Sequence, residues 1–153
     1  MDDRVGQAGP KQAGARGSQL ADVSREKFGT VLVIDDSEIA RASMAAVLNQ
    51  AGMTVLQLAS PIGATRAIMQ NNVSVVVVDV LMPGMRGDRL ATLFRGNPRF
   101  KELGVVLVSG ENEIELERLQ TETGADAAIS KSRLDWLVGA VIRARRQRLS
   151  KNA

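Results

Sequence analysis

Five polar side chains each follow a short run of apolar or small residues. Asp35 and Asp36 close Thr30 to Ile34, Asp79 closes Val75 to Val78, Ser109 closes Val105 to Val108, and Lys131 follows Ala127 to Ser130. Each run reads as a buried strand, so the five groups are expected at one edge of a sheet. Three carboxylates gathered there repel and raise one another's pKa unless a cation compensates. The ligands are hard oxygens, which points to Mg²⁺. A neutralised cluster leaves one carboxylate able to attack phosphorus. Phosphoryl transfer asks mainly for positioning and for charge compensation of the equatorial oxygens; Mg²⁺, the Lys131 ammonium and the Ser109 hydroxyl would supply three such contacts. Taken singly, each residue has a plainer role. Asp79 serves equally well as a turn cap, Asp35 and Asp36 as caps before Ser37, Ser109–Gly110 as a turn, and Lys131 as a solvated surface lysine.

The rest of the composition narrows the chemistry. The 153 residues contain no His, Cys or Tyr. That removes disulfides, thiolate metal sites, the commonest general base and Ser-His-Asp hydrolysis. Net charge is only +3, and the isoelectric point of about 9.8 reflects the lack of groups titrating near neutrality rather than a nucleic-acid footprint. No apolar stretch is long enough for a membrane span, and the N-terminus has no secretory h-region, so a cytoplasmic protein is expected.

The elements that must position these groups follow in order. Residues 1–27 hold few large apolar side chains and are expected to be a flexible tail, with a folded domain over 28–149 and a short tail at 150–153. After the first strand, Ser37 reads as an N-cap and Glu38 to Gln50 as a helix, with Ile39, Met44, Val47 and Leu48 available for its apolar face and Gly52 at its end. Thr54 to Leu58 is a second strand, and Ser60–Pro61 reads as the cap and first residue of a helix to Gln70. Val75–Val78 cannot alternate between core and solvent, so both its faces should be covered. Asp88 to Arg95 is the third helix and Glu111 to Glu122 the fourth, closed by Gly124. In the last helix Leu134, Leu137, Val138, Val141 and Ile142 recur at amphipathic spacing.

Strand and helix thus alternate five times. The expected fold is α/β, a flavodoxin-like (βα)5 doubly wound parallel sheet of order 2-1-3-4-5, with strands one and three beside the switch point. Gly84 and Gly87 read as turn glycines. A phosphatase that uses a strand-end Asp would want a second Asp where Leu81 stands. The basic residues Arg143, Arg145, Arg146, Arg148 and Lys151 suit a helix C-terminus, so nucleic-acid contact through them is not expected.

The segments Val33-Ile34-Asp35-Asp36-Ser37, Val78-Asp79 through Met85-Arg86-Gly87, Val108-Ser109-Gly110 and Ser130-Lys131 together resemble the receiver domain of bacterial two-component response regulators, over about Phe28 to Arg148. The resemblance implies that Asp79 takes a phosphoryl group from the phosphohistidine of a histidine kinase or phosphotransfer protein. It implies that Asp36 and Asp79 ligate Mg²⁺ with the Leu81 backbone carbonyl, and that Asp35 acts largely through water. Ser109 is similar to the switch hydroxyl and Lys131 to the phosphate-binding lysine. Such a domain is not an enzyme beyond self-phosphorylation and self-dephosphorylation. It would signal, as a single-domain regulator, by binding a protein target through the face of helix four, strand five and helix five.

Two positions depart from the family pattern. An aromatic switch residue usually stands three places before the lysine, where this chain has Ala128. A proline in a cis peptide usually follows the lysine, where this chain has Ser132. A cis bond before a non-proline residue costs roughly 2.5–4 kcal/mol, so a trans bond is expected. These departures keep open a second reading, a pseudo-receiver that serves as a protein-binding scaffold without phosphorylation.

Overall fold

Alternate residues of the first strand belong to opposite cores. In β1 (Thr30–Ile34), Leu32 and Ile34 enter one apolar cluster and Val31 and Val33 another. β3 (Val73–Asp79) divides Val76 and Val78 from Val75 and Val77 in the same way, and β4 (Gly104–Ser109) divides Val105 and Leu107 from Val106 and Val108. Side chains of a strand point alternately to its two faces, so a run without polar residues requires cover on both sides. That cover comes from five helices.

This computed structural model describes residues 28–152; the tail expected over 1–27 lies outside them. With β2 (Thr54–Leu58) and β5 (Ala127–Ser130), the strands form one parallel sheet of order β2-β1-β3-β4-β5, the expected doubly wound arrangement. α1 (Glu38–Gln50) and α5 (Leu137–Lys151) cover one face, burying Met44 and Leu48, and Leu137, Ala140, Val141 and Ala144. α2 (Ala64–Gln70), α3 (Gly87–Gly96) and α4 (Glu113–Thr123) cover the other, with Ile68, Leu90, Phe94 and Leu119. Each fully buried Val or Leu contributes about 1.5–3 kcal/mol. No helix among the described residues is long and apolar enough to cross a membrane.

Four local expectations need correction. α2 begins at Ala64 rather than after Ser60–Pro61. The Ser60 hydroxyl accepts from the Ile62 N–H at 3.3 Å, Ala64 N donates to Pro61 O at 3.0 Å, and Gly63 takes φ +86°, so the chain makes a turn there before it can wind into a helix. α4 begins at Glu113, because Asn112 caps it through a 3.0 Å bond from Glu115 N. Ile39 is 82% exposed; it lies five residues, or about 140° around the helix, from Met44. α5 extends to Lys151, with a 3-10 turn at Leu134–Trp136 before it.

The register places the polar residues. Ile34 pairs with Val78, so Asp35 and Asp79 stand level at neighbouring strand ends; Asp79 pairs with Val108, and Ser109 with Ser130.

Candidate functional site

The carboxylates of Asp35 and Asp79 are buried, while Asp36 is exposed at the mouth of the site. One oxygen from each of the three lies within 4.8 Å of the others. Lys131 Nζ stands 3.0 Å from Asp35 Oδ2 and 3.2 Å from Asp79 Oδ1. Among the described residues the Lys131 ammonium is the one charged group against Asp35 Oδ2, and no other group donates to that buried oxygen. Asp35 is fixed from its other side: Oδ1 accepts from Ser37 N at 2.9 Å, and Arg41 Nη1 donates to the Asp35 carbonyl at 2.8 Å.

One ammonium therefore faces a cluster of three carboxylates and contacts two of them. Burial, and then the charge of Asp35, push the Asp79 carboxyl above the ordinary aspartate range; Lys131 and the Leu81 backbone N–H oppose them without prevailing. For Lys131 burial works against the charge, but Asp35 and Asp79 outweigh it and hold the ammonium above the ordinary lysine value. A raised carboxyl and a raised ammonium in contact mark an excess of negative charge. Three oxygen donors of that sign and spacing, short of positive charge, fit a small hard divalent cation.

The remaining expected residues divide. Leu81 brings its backbone to Asp79 while its side chain is largely exposed. Ser109 is buried on β4; its hydroxyl accepts from Glu111 N at 3.2 Å and its carbonyl from Lys131 N at 2.9 Å, so the hydroxyl is engaged with the next loop rather than with the carboxylates. There is no cis peptide bond among the described residues, so Lys131–Ser132 is trans. Ala128 lines a groove of about 650 Å³ between α4 and β5, beside the acidic cluster rather than over it. Trp136, Leu116, Glu111, Glu113 and Glu117 share that lining.

Three contributors were not legible as such in the sequence. Gly84 is a turn residue with φ +84° and open space where a Cβ would stand, as expected of a turn glycine. Gly87 is different. A Cβ on it would lie 2.0 Å from the Asp79 carbonyl oxygen and 2.7 Å from Val78 Cγ1, so its lack of a side chain lets α3 start against the Asp79 backbone. Gly87 N completes the contact by donating to Val80 O at 2.9 Å. Arg41 and Ser130 act through main-chain groups of other residues, and nothing in their type or spacing announces it.

Comparison with known proteins gives a consistent result. The model of the response regulator receiver domain matches residues 31–141. The autoinducer 1 sensor kinase/phosphatase LuxN of Vibrio campbellii is 37% identical over 95 residues, covering 59% of this chain and 10% of LuxN. Protein PilG of Pseudomonas aeruginosa is 26% identical over 112 residues, covering 72% of this chain and 83% of PilG. The chain thus spans most of PilG but a tenth of LuxN. Among solved structures, the chemotaxis protein CheY4 of Vibrio cholerae superposes with a TM-score of 0.67 at 24% identity, over 76% of this chain and 98% of that one. At that identity the likeness speaks for the fold.

Proposed function

The chain belongs to the response regulator receiver domain family, and on that premise we propose that Asp79 is a phospho-acceptor through which the chain relays a two-component signal. The observation that carries this reading is the buried Asp79 carboxylate, level with Asp35 and 3.2 Å from the Lys131 ammonium, in a cluster with more negative charge than the protein balances. An Asp79 oxygen attacks the phosphorus of a phosphohistidine on a sensor histidine kinase or phosphotransfer protein. The new O–P bond forms as the N–P bond breaks, and the imidazole leaves with the bonding pair. Mg²⁺ held by Asp36, Asp79 and the Leu81 carbonyl, with Asp35 through water, would offset the carboxylate charge and that of the equatorial oxygens.

The chain's own groups do the rest. Lys131 turns from the Asp79 carboxylate to a phosphoryl oxygen, a charge-assisted contact. Ser109 gives up Glu111 N and donates its hydroxyl to another phosphoryl oxygen. The output face is α4, β5 and α5. On it, the groove over Ala128 has three glutamates in its lining, while its Arg133 is paired with Asp135 at 2.7 Å. That balance suits a partner segment that is basic and carries an apolar side chain to set against Leu116 and Trp136.

The test is mass spectrometry after incubation with Mg²⁺ and a small phosphodonor, with Asp79→Asn as control. A single phosphoryl adduct on the wild type and none on the variant is expected; an unlabelled wild type, under conditions that label another receiver, would sink the reading. Ala128 and Ser132 favour a second reading, an adaptor that binds its partner without phosphate. Under that reading, wild type and Asp79→Asn capture the same partner equally in cells.

A further inference from the structure

The Lys131 ammonium ends a flexible four-carbon stem, so its place between Asp35 and Asp79 depends on how firmly its backbone is held. Three bonds donated by main-chain N–H groups hold it. Lys131 N donates to Ser109 O at 2.9 Å, Arg133 N donates to Ser130 O at 2.9 Å, and Ser132 N donates to Ser130 Oγ at 3.2 Å. The Ser130 and Ser132 hydroxyls also share a hydrogen bond of 2.8 Å. Ser130 thus anchors the turn twice, by carbonyl and by hydroxyl, with Lys131 and Ser132 as its two central residues. The arrangement uses an N–H that a proline at 132 would not have.

The same turn has a second side. Ser130 and Ser132 line the groove between α4 and β5, next to Arg133 and Trp136. The Arg133 guanidinium lies 4.0 Å over the Trp136 ring, so the residue that closes the turn is stacked on the groove's indole. From the carboxylates to the groove the path is continuous: Lys131, the Ser130–Ser132 hydroxyl pair, Arg133, Trp136.

We propose that Ser130 is a positioning residue whose hydroxyl, shared with Ser132, fixes the Lys131 ammonium at the carboxylates and carries its displacement to Arg133 and Trp136. The displacing event rests on the phospho-acceptor reading; the positioning precedes any phosphate. Coupling of this kind is reciprocal, so a partner seated on Trp136 alters the phosphoryl site by the same factor.

Trp136 is the only tryptophan of the chain, so indole fluorescence reports on the groove alone. The probe is beryllium fluoride with Mg²⁺, a phosphoryl mimic for Asp79, added to the full chain. In the wild type the Trp136 emission shifts on binding. Ser130→Ala is expected to lose most of that shift and to bind beryllium fluoride roughly five- to tenfold more weakly, the scale of one hydrogen bond. The variant still melts cooperatively, and Ser130→Thr restores shift and affinity. In a Lys131→Ala background Ser130→Ala has no further effect. Full shift and full affinity in Ser130→Ala, an undiminished loss in the Lys131→Ala background, or a wild type that binds the mimic without a Trp136 shift would each overturn the proposal. A wild type that binds no mimic overturns the phospho-acceptor reading instead. The positioning is then decided by nitrogen NMR of the Lys131 ammonium, whose slowly exchanging signal Ser130→Ala should lose and would keep if the proposal were wrong.

Discussion

Asp79 at the end of β3 and Asp126 just before β5 are both buried carboxylates facing a cation, at opposite ends of one sheet. Around Asp126 every oxygen is served. Arg148 Nε and Nη2 reach Oδ1 at 2.8 and 2.7 Å, and Val105 N donates to Oδ2 at 2.9 Å. The pair joins α5 to the start of β5, Val105 N ties β4 to it, and both side chains are almost wholly buried. Around Asp79 one ammonium is shared with Asp35, a third carboxylate stands nearby, and the buried Asp35 Oδ2 has no partner among the described residues but that shared ammonium. A buried charge that is fully paired is a fixed point of the fold. One that is under-paired keeps capacity for a ligand, and the fold bears the cost elsewhere.

Mutation should separate the two ends, and the largest effect belongs to the satisfied one. Arg148→Ala leaves Asp126 buried without its cation and is expected to cost about 3–5 kcal/mol in urea denaturation. Gly87→Ala comes next. A methyl cannot stand 2.0 Å from the Asp79 carbonyl, so α3 must shift, and a loss of about 1–3 kcal/mol is expected with a larger proportional loss of phosphodonor labelling. A labelled, stable Gly87→Ala would refute the contact.

Asp79→Asn should move stability the other way. The Asp79 carboxyl is raised, so ionising it disfavours the folded state; the penalty is fully present above its folded pKa and absent below the ordinary aspartate value. In metal-free protein near pH 7 the variant gains on the order of 1 kcal/mol, an ordinary single-site effect. The gain shrinks as pH falls through that window, and melting curves between pH 4 and 7 (about the aspartate range upward) follow it. A variant less stable than wild type across this range would mean that the acidic end is as well balanced as the other. The smallest effect is expected at Arg118, which pairs with Glu115 and Glu122 on the exposed side of α4. Arg118→Ala should change stability by less than about 0.5 kcal/mol, since solvent screens such pairs.

Much of this architecture is legible along the chain because it depends on local pattern. The valine run of β3 demands two covered faces whatever surrounds it, and the alternation of such runs with helices leads to the 2-1-3-4-5 sheet. Ser37 caps α1 and Gly124 ends α4 by residue type and backbone preference alone. Where local signals failed, a competing local bond won. Ser60 turned its hydroxyl to Ile62 instead of opening a helix, and Asn112 out-capped the position before Glu111.

The carboxylates, the hydroxyl and the lysine could be named from sequence because each ends a strand, and a parallel sheet gathers strand ends at one edge. How they divide the charge could not be named, since it depends on distances between strands. Only the tertiary structure decided that Lys131 bridges Asp35 and Asp79, that Asp36 stays exposed, and that the Ser109 hydroxyl is bound to Glu111 N. The same holds for Gly87, whose missing methyl matters because α3 returns against Asp79, and for Ser130, whose hydroxyl matters because the next turn closes over it. Periodicity along a chain specifies which residues meet an edge; contact between elements specifies what each does there.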